Sequence, residues 1–381
     1  MRIGIFGGSF DPVHLEHVHL AECAVRELSL DKLFVIPACV PPHKQGKRLA
    51  PEQDRLAACR LAFSHLDKVE VSGYEIHKRG TSYTYETCRY FKEKYSPCEL
   101  YFLVGTDMLR NFPTWKNPED ILLTATLAVC ARAEEQGWEE KERAAFWERF
   151  GIDFATVSYQ GKDISSTKIR VLLAAGENAA EFVGEKVAKL LNERGVYAMN
   201  GVKEALSWEK SSRKAHTLRV AELAAELAKY YGEDERKTIK AALLHDCAKN
   251  LPTDSPLLSG FTINESVPPA VMHQYLGAYL VETRLGEKDS DIVNAVRFHT
   301  SGRPSMSKLE KIIFLADLLE EERCFSGVEE LRALLFKDLD ECLTLALQET
   351  VKYLERDNKE VYPLTRDAYE FYKENGNGTK N

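Results

Sequence analysis

Hydrophobic positions change rhythm once along this chain. In the first half, short apolar runs alternate with helical stripes, and after the polar joint Gly195 to Gly201 only helical stripes remain. The runs are Arg2 to Phe6, Leu33 to Pro37, Val69 to Ser72, Glu99 to Val104, Leu127 to Cys130 and Phe154 to Val157, each predicted to be a strand and the first two to be buried. Between them lie helices such as the one through Leu20, Ala21, Ala24 and Leu28, and another from Tyr85 to Lys94. Strand and helix in alternation predict an α/β domain built on a parallel sheet. Beyond the joint, Val220, Leu223, Leu227 and Tyr231 form a helical stripe, and the pattern predicts an all-α bundle. The expected domains are 1–198 and 199–374, followed by a flexible polar tail, 375–381.

Length agrees with this division, because 381 residues exceed one ordinary core and suggest two or three domains. A net charge of -8 argues against general binding to nucleic acid or an anionic membrane, so any phosphate site must be a local pocket. The nine cysteines form no Cys-x-x-Cys pair and read as reduced thiols. With no apparent leader, and with the apolar stretch near Ile121 to Ala131 too short for a membrane span, a cytoplasmic protein is expected. A homo-oligomer is compatible with the pattern.

Candidate chemistry in the first domain gathers where strands end. Gly7-Gly8-Ser9-Phe10 follows the first strand, and such glycines predict a turn where backbone approaches a ligand closely. The helix N-terminus beyond it favours phosphate. His14 and His17 lie on one side of its first turn, placed to hydrogen-bond a phosphoryl oxygen. Lys44 ends Pro42-His43-Lys44 after the second strand, as a phosphate-binding charge or a solvated loop lysine. Ser82-Tyr83-Thr84 opens a helix, either to cap it or to hold a carboxylate on its N–H groups. Gly105 and Asp107 follow the fourth strand, and Trp115 beside Lys116 offers a flat face for stacking a ring. Ser165, Ser166, Thr167, Lys168 and Arg170 put hydroxyls and cations within one turn, a second anion site.

These stretches resemble the nucleotidyltransferase superfamily, whose signature is Gly-x-Phe-Asp-Pro-x-His-x-Gly-His. Here Glu16 replaces the glycine between the histidines, which bears on how ATP packs against the first helical turn. Pro42 to Lys44, Ser82 to Thr84, Gly105 to Asp107 and Trp115-Lys116 resemble in particular the bacterial nicotinate mononucleotide adenylyltransferases, over roughly residues 1 to 198. The resemblance implies a Rossmann-like domain that transfers AMP from Mg-ATP to nicotinate mononucleotide, giving deamido-NAD and pyrophosphate. It makes His14, His17 and Lys44 catalytic, and Gly7, Gly8, Ser9, Phe10, Ser82, Tyr83, Thr84, Gly105, Asp107, Trp115, Lys116, Ser166, Thr167 and Arg170 the substrate and ATP contacts. Another acceptor, such as nicotinamide mononucleotide or phosphopantetheine, is the alternative.

The helical domain carries a different anomaly. His216, His273, His299 and Asp317 each sit on an apolar stripe, and His245-Asp246 ends an apolar segment. A carboxylate on a core-facing stripe is costly unless paired or bound to a cation. Four histidines and two aspartates turned inward on five helices predict a metal cluster. Their order resembles the HD-domain metal-dependent phosphohydrolases, and the two histidines beyond the minimal set favour two metals with Asp246 bridging. His299-Thr300-Ser301-Gly302-Arg303-Pro304 and Leu315-Ala316-Asp317 resemble the HD-type symmetrical bis(5′-nucleosyl)-tetraphosphatases. That resemblance implies hydrolysis of diadenosine tetraphosphate to two ADP with two transition-metal ions, iron favoured, and Lys249 and Arg303 neutralising phosphates. The alternative is a nucleotide-binding regulator that hydrolyses nothing, against which the filled ligand positions speak.

Overall fold

The computed structural model describes residues 1–41, 49–132, 138–162 and 164–376, and divides the chain into two compact units. The first comprises Met1–Arg170 and Asn178–Tyr197, the second Val171–Glu177 and Ala198–Asn381.

In the first unit, β1 (Arg2–Gly8), α1 (Leu15–Glu27), β2 (Lys32–Pro37), α2 (Glu52–Ala62) and β3 (Val69–Val71) come first. Helices α3 (Tyr74–Lys78) and α4 (Thr84–Lys94) follow, then β4 (Glu99–Gly105), α5 (Thr106–Asn111), α6 (Pro118–Thr124) and β5 (Thr126–Arg132). The set closes with α7 (Trp138–Phe150), β6 (Ala155–Tyr159), α8 (Ser166–Ala175), which belongs to this unit only as far as Arg170, α9 (Ala180–Val183) and α10 (Glu185–Glu193). The strands form a six-stranded sheet in the order β3-β2-β1-β4-β5-β6, and every pairing in it is parallel. Chain order reverses between β1 and β4, and outside the carboxyl ends at such a point an open α/β sheet holds its ligand.

The central strands β1, β2, β4 and β5 are largely buried, which explains why they read as apolar runs, while the edge strands β3 and β6 are partly exposed. Ile3 and Ile5 are fully buried, and a Cβ at Gly4 would lie 2.6 Å from both Leu30 and Leu33. Gly4 therefore lets the segment after α1 pack directly on β1. The apolar stretch Ile121 to Ala131 proves to be two elements, because α6 ends at Thr124 and β5 starts at Thr126.

The second unit is helical: α11 (Val202–Ser207), α12 (Ser211–Tyr231), α13 (Glu235–Leu244), α14 (Pro269–Thr283), α15 (Ser290–Phe298), α16 (Lys308–Leu319), α17 (Val328–Leu335), α18 (Leu339–Arg356) and α19 (Pro363–Gly376). Side-chain caps set several starts: Asp234 accepts from Lys237 N at 2.9 Å for α13, and Ser307 with Glu310 forms a capping box on α16. Small buried residues on α12, Ala221, Ala224, Ala225 and Ala228, let neighbouring helices approach. Asn375 and Gly376, expected in the tail, complete α19, while 377–381 lie outside the described residues. Among the described residues no helix is long and apolar enough to cross a membrane.

Candidate functional site

In the first unit a cavity of about 650 Å³ opens at the carboxyl ends of β1, β2 and β4. Gly7, Gly8, Ser9, Ser82, Tyr83, Thr84, Asp107, Trp115 and Lys116 all line it. Gly7 and Gly8 are not turn residues as expected; they end β1, paired with Ile36 and Pro37. The positive φ in this stretch belongs to Phe10, at 46°. What the glycines supply is an absent side chain: a Cβ at Gly8 would meet the Phe10 ring at 3.1 Å. Phe10 itself is buried, with its ring 5.0 Å from that of His17 and 5.3 Å from that of Phe6.

His14 precedes α1 as its N-cap, and His17 sits one turn inside. Their rings lie 3.7 Å apart, and His17 Nδ1 accepts from the His14 N–H at 3.2 Å. The neutral His17 ring therefore carries its proton on Nε2, ready to donate. Burial pushes His14 down to about 4, and burial followed by the nearby His14 holds His17 well below its ordinary range. Both are neutral donors at neutral pH.

Behind the histidines, three segments are tied to the loop between β1 and α1. Arg170 Nη1 donates to Asp11 O at 2.6 Å and Nη2 to Thr167 Oγ1 at 3.0 Å, while Ser166 Oγ donates to Pro12 O at 3.3 Å. The predicted anion segment is thus brought beside the predicted phosphate loop. Asp11 Oδ1 accepts from Tyr197 Oη at 2.7 Å and Ala50 N at 3.2 Å. Arg55, which sequence reading missed, is fully buried and donates to Ser9 O at 2.7 Å, Ala50 O at 3.1 Å and Cys39 O at 3.3 Å. Lys44, with Pro42 and His43, lies outside the described residues.

On the opposite wall no side chain caps α4, contrary to one of the two readings of Ser82 to Thr84. Ser82 Oγ instead accepts from Cys39 N at 3.0 Å, tying the segment to the end of β2. Glu75, also missed, is buried in the cavity lining and accepts from Thr87 Oγ1 at 2.6 Å. Trp115 packs edge-on to Phe102 with centroids 6.2 Å apart, and Lys116 Nζ sits 4.4 Å above the Tyr83 ring. Gly105 caps α5, and a Cβ there would meet Asp107 Oδ1 at 2.9 Å.

Glu16 is buried rather than turned into the cavity. Its Oε2 accepts from Lys162 N at 2.8 Å, and its Oε1 lies 4.0 Å from Arg132 Nε. The first turn of α1 is therefore covered at this position by the loop that leads from β6 to α8.

The second unit brings all six predicted ligands together. His216 Nε2 is 2.9 Å from Asp317 Oδ1, and His273 Nε2 is 3.2 Å from Asp246 Oδ1 and 3.1 Å from His299 Nε2. Two overlapping groups have the reach to hold an ion: His216, His245 and Asp317, and His245, Asp246 and His299. The donor set fits. His245 Nδ1 faces Ala242 O at 2.6 Å and His299 Nδ1 faces Val296 O at 2.8 Å, so in each neutral ring the proton sits on Nδ1 and Nε2 offers a lone pair. Those lone pairs lie 3.6 and 3.4 Å from the carboxylate of Asp246. His245 Nε2 and Asp246 Oδ1 are buried with no hydrogen bond of their own. Converging lone pairs repel unless a cation stands among them.

Electrostatics point the same way. Burial pushes His245 and His273 down to about 4, leaving neutral imidazoles. Burial would raise Asp246 and Asp317, but the imidazoles around them prevail and hold both carboxyls below their usual range. Neutral imidazole with ionised carboxylate is the state a transition metal takes up. Behind the cluster, Glu320 Oε1 lies 3.0 Å from His216 Nδ1 and Arg219 Nε donates to its Oε2 at 2.7 Å, an orienting carboxylate that sequence reading missed.

Lys249 Nζ reaches His273 at 3.1 Å. Arg303 goes elsewhere: both its Nε and Nη2 donate to buried Glu310 at 2.8 Å. Two unpredicted cations take that ground. Arg213 Nη1 lies 2.9 Å from Asp246 Oδ2, and Arg323 Nη2 donates to Asp317 Oδ1 at 2.7 Å.

Comparison with known proteins gives the same division. Residues 5–172 match the family model described as cytidylyltransferase-like, and residues 213–322 match the HD domain model. The chain is 30% identical over 328 residues to the "Probable nicotinate-nucleotide adenylyltransferase/Ap4A hydrolase" of Mycoplasma genitalium, an overlap of 84% of this chain and 88% of that protein. With the protein of the same description from Mycoplasma pneumoniae it shares 30% identity over 366 residues, 92% of this chain and 98% of the other. A "Probable nicotinate-nucleotide adenylyltransferase" of Clostridium tetani is 35% identical over 196 residues, 51% of this chain and 97% of that one.

Proposed function

We propose that this chain, which belongs to the family joining a cytidylyltransferase-like domain to an HD domain in one polypeptide, is a bifunctional enzyme. Its first unit transfers AMP from Mg-ATP to nicotinate mononucleotide, and its second hydrolyses diadenosine tetraphosphate to two ADP. The observation that carries the first activity is the cavity that has the β1 glycines on one wall and Ser82, Trp115 and Lys116 on the other, with the histidine pair beside it.

In the transfer, a phosphate oxygen of nicotinate mononucleotide attacks the α-phosphorus of ATP in line, and the bond to the bridging oxygen breaks to release pyrophosphate. Charge builds on the α-phosphoryl oxygens, and neutral His14 and His17 donate to them. Lys44 is assigned to the same task by the sequence pattern alone. Ser166, Thr167 and Arg170 hold the departing polyphosphate. The pyridine ring stacks on Trp115, and its carboxylate takes N–H groups near Ser82 to Thr84, which sets the acid apart from the amide.

In the second unit His216, His245, His273, His299, Asp246 and Asp317 hold two transition-metal ions, with iron the expected pair. Two such ions, when bound, polarise phosphate oxygens and acidify water. The chain supplies the rest: Glu320 orients His216, burial keeps His245 and His273 neutral, and Lys249 neutralises substrate phosphate. The proposal does not use Arg303, because Glu310 occupies its guanidinium.

Product analysis of the full chain tests both halves. With ATP and nicotinate mononucleotide it is expected to form deamido-NAD, and to use the nicotinamide analogue at least tenfold less efficiently, as for a buried site built to pair a polar group (~10-fold per 1.4 kcal/mol). With diadenosine tetraphosphate it is expected to give ADP alone. Release of AMP with ATP would refute symmetric cleavage, and equal use of both acceptors would refute the carboxylate site.

A further inference from the structure

Each of the two candidate ion-holding groups contains one aspartate, and each aspartate carries its own arginine. Asp317, grouped with His216 and His245, is paired with Arg323, and Asp246, grouped with His245 and His299, is paired with Arg213. Neither arginine belongs to the local motifs that announce the cluster. Arg213 lies near the start of α12 and Arg323 just after α16.

A guanidinium beside a metal ligand is not neutral to metal binding. It competes with the ion for the carboxylate and, once the ion is in place, faces a like charge. The arrangement therefore needs an anion to offset it. Exposure shows from which side that anion arrives: the side chains of Asp246 and Asp317 are 2% and 17% exposed, whereas those of their partners Arg213 and Arg323 are 27% and 38% exposed. The aspartates form the floor and the arginines the rim. Arg219 makes the contrast, since it is bound to Glu320 and Glu322 and faces no candidate ligand carboxylate.

We propose that Arg213 and Arg323 are substrate-binding residues that grip the phosphate chain, one beside each ion position. The assignment rests on the metal-dependent hydrolase reading and extends it from the ions to the anion they act on. Each arginine is paired with its aspartate, and an ion held by that aspartate would leave the guanidinium fork to phosphate oxygens, which it matches bidentately. The chemistry suits a ligand with several linked phosphates, which carries enough anionic oxygens to meet both forks.

The test separates this role from that of merely orienting the aspartates, because the two predict opposite signs. Arg213→Gln and Arg323→Gln are made in the full chain, and two affinities are measured by titration calorimetry: that for manganese(II), and that of the manganese-loaded protein for inorganic tripolyphosphate. Binding that persists in Asp246→Ala belongs to the first unit and is subtracted. Each variant is expected to bind tripolyphosphate ~10- to 100-fold more weakly, the range for losing a charge-assisted hydrogen bond, while binding manganese as tightly as the parent or more tightly. Manganese affinity that falls in step, or tripolyphosphate affinity that does not change, would overturn the assignment. Arg213→Lys and Arg323→Lys keep the charge, and should the glutamine variants fail to fold they are read by the same two affinities, with weaker tripolyphosphate binding again the expected sign. If the parent protein fails to cleave diadenosine tetraphosphate, the hydrolase reading falls, and that failure is visible apart from the affinity contrast.

Discussion

Asp246→Ala is expected to abolish hydrolysis of diadenosine tetraphosphate and leave adenylyl transfer at its full rate. Asp246 Oδ1 lies within 3.4 Å of both His273 Nε2 and His299 Nε2, and the side chain is 2% exposed. Alanine removes the carboxylate on which these two imidazoles converge, while Asp317 already meets His216 at 2.9 Å and Arg323 at 2.7 Å. A buried set of imidazoles without its central anion is a poor host for a doubly charged ion. The histidine pair of the first unit has no part in this cluster, and its chemistry should continue. Both rates are measured on one preparation. Their joint loss would argue against independent sites, and surviving hydrolysis would remove Asp246 from the ligand set.

The second large effect is expected from His17→Ala, which should lower kcat for adenylyl transfer by about 10²–10³ with a smaller change in the KM for either substrate, as for the loss of one preorganised donor to a developing oxyanion. His17 Nδ1 is fixed by the His14 N–H, so the opposite nitrogen is the donor. Substitution also strips the cap from that N–H, at a cost of roughly 1 kcal/mol of stability, which a urea titration distinguishes from the kinetic effect. The same burial fixes the sign of the pH dependence. His14 is pushed from its ordinary 6.5 to about 4, so the unfolded chain takes up the proton first as pH falls. The stability contributed by the neutral ring is complete above about pH 6.5 and is lost as pH falls toward 4. Adenylyl transfer should follow, holding through pH 6 and failing nearer 4. A rate that rises on acidification through 6.5 would mean that the imidazolium is the working form. An unchanged kcat in His17→Ala would leave the pair a structural cap.

How much of this could be read from the chain depended on how locally each residue declares itself. Ile3, Ile5 and Phe34 announce a buried sheet because strands covered on both faces are apolar throughout. The candidate ligands of the second unit were legible because a charged or ionisable group on an apolar stripe is an anomaly visible within one helix, as with Asp317 beside Ile313 and Ala316. Glu320 lies only three positions from Asp317, yet its role comes from His216, 104 residues away. Arg55 looks like a surface residue of an amphipathic helix until Ser9, Cys39 and Ala50 close over it. Glu16 breaks the local pattern visibly, but its partner Lys162 is 146 positions distant, so the sequence marks the departure without its cause. Gly7 and Gly8 were misjudged for another reason. Glycine signals either an unusual φ or a missing side chain, and here the second applies.

The claim beneath both activities is that inward-facing polar groups in each unit serve phosphate chemistry, and that in the second unit they do so by holding metal. The most direct measurement strips the full-length protein of transition metal with a chelator, removes the chelator, and follows ADP release from diadenosine tetraphosphate while manganese(II) or iron(II) is added back. Hydrolysis is expected to vanish on stripping and to return in proportion to bound ion, saturating near two per chain, with adenylyl transfer in magnesium unaffected throughout. Undiminished ADP release from protein shown by elemental analysis to hold no transition metal would contradict the account.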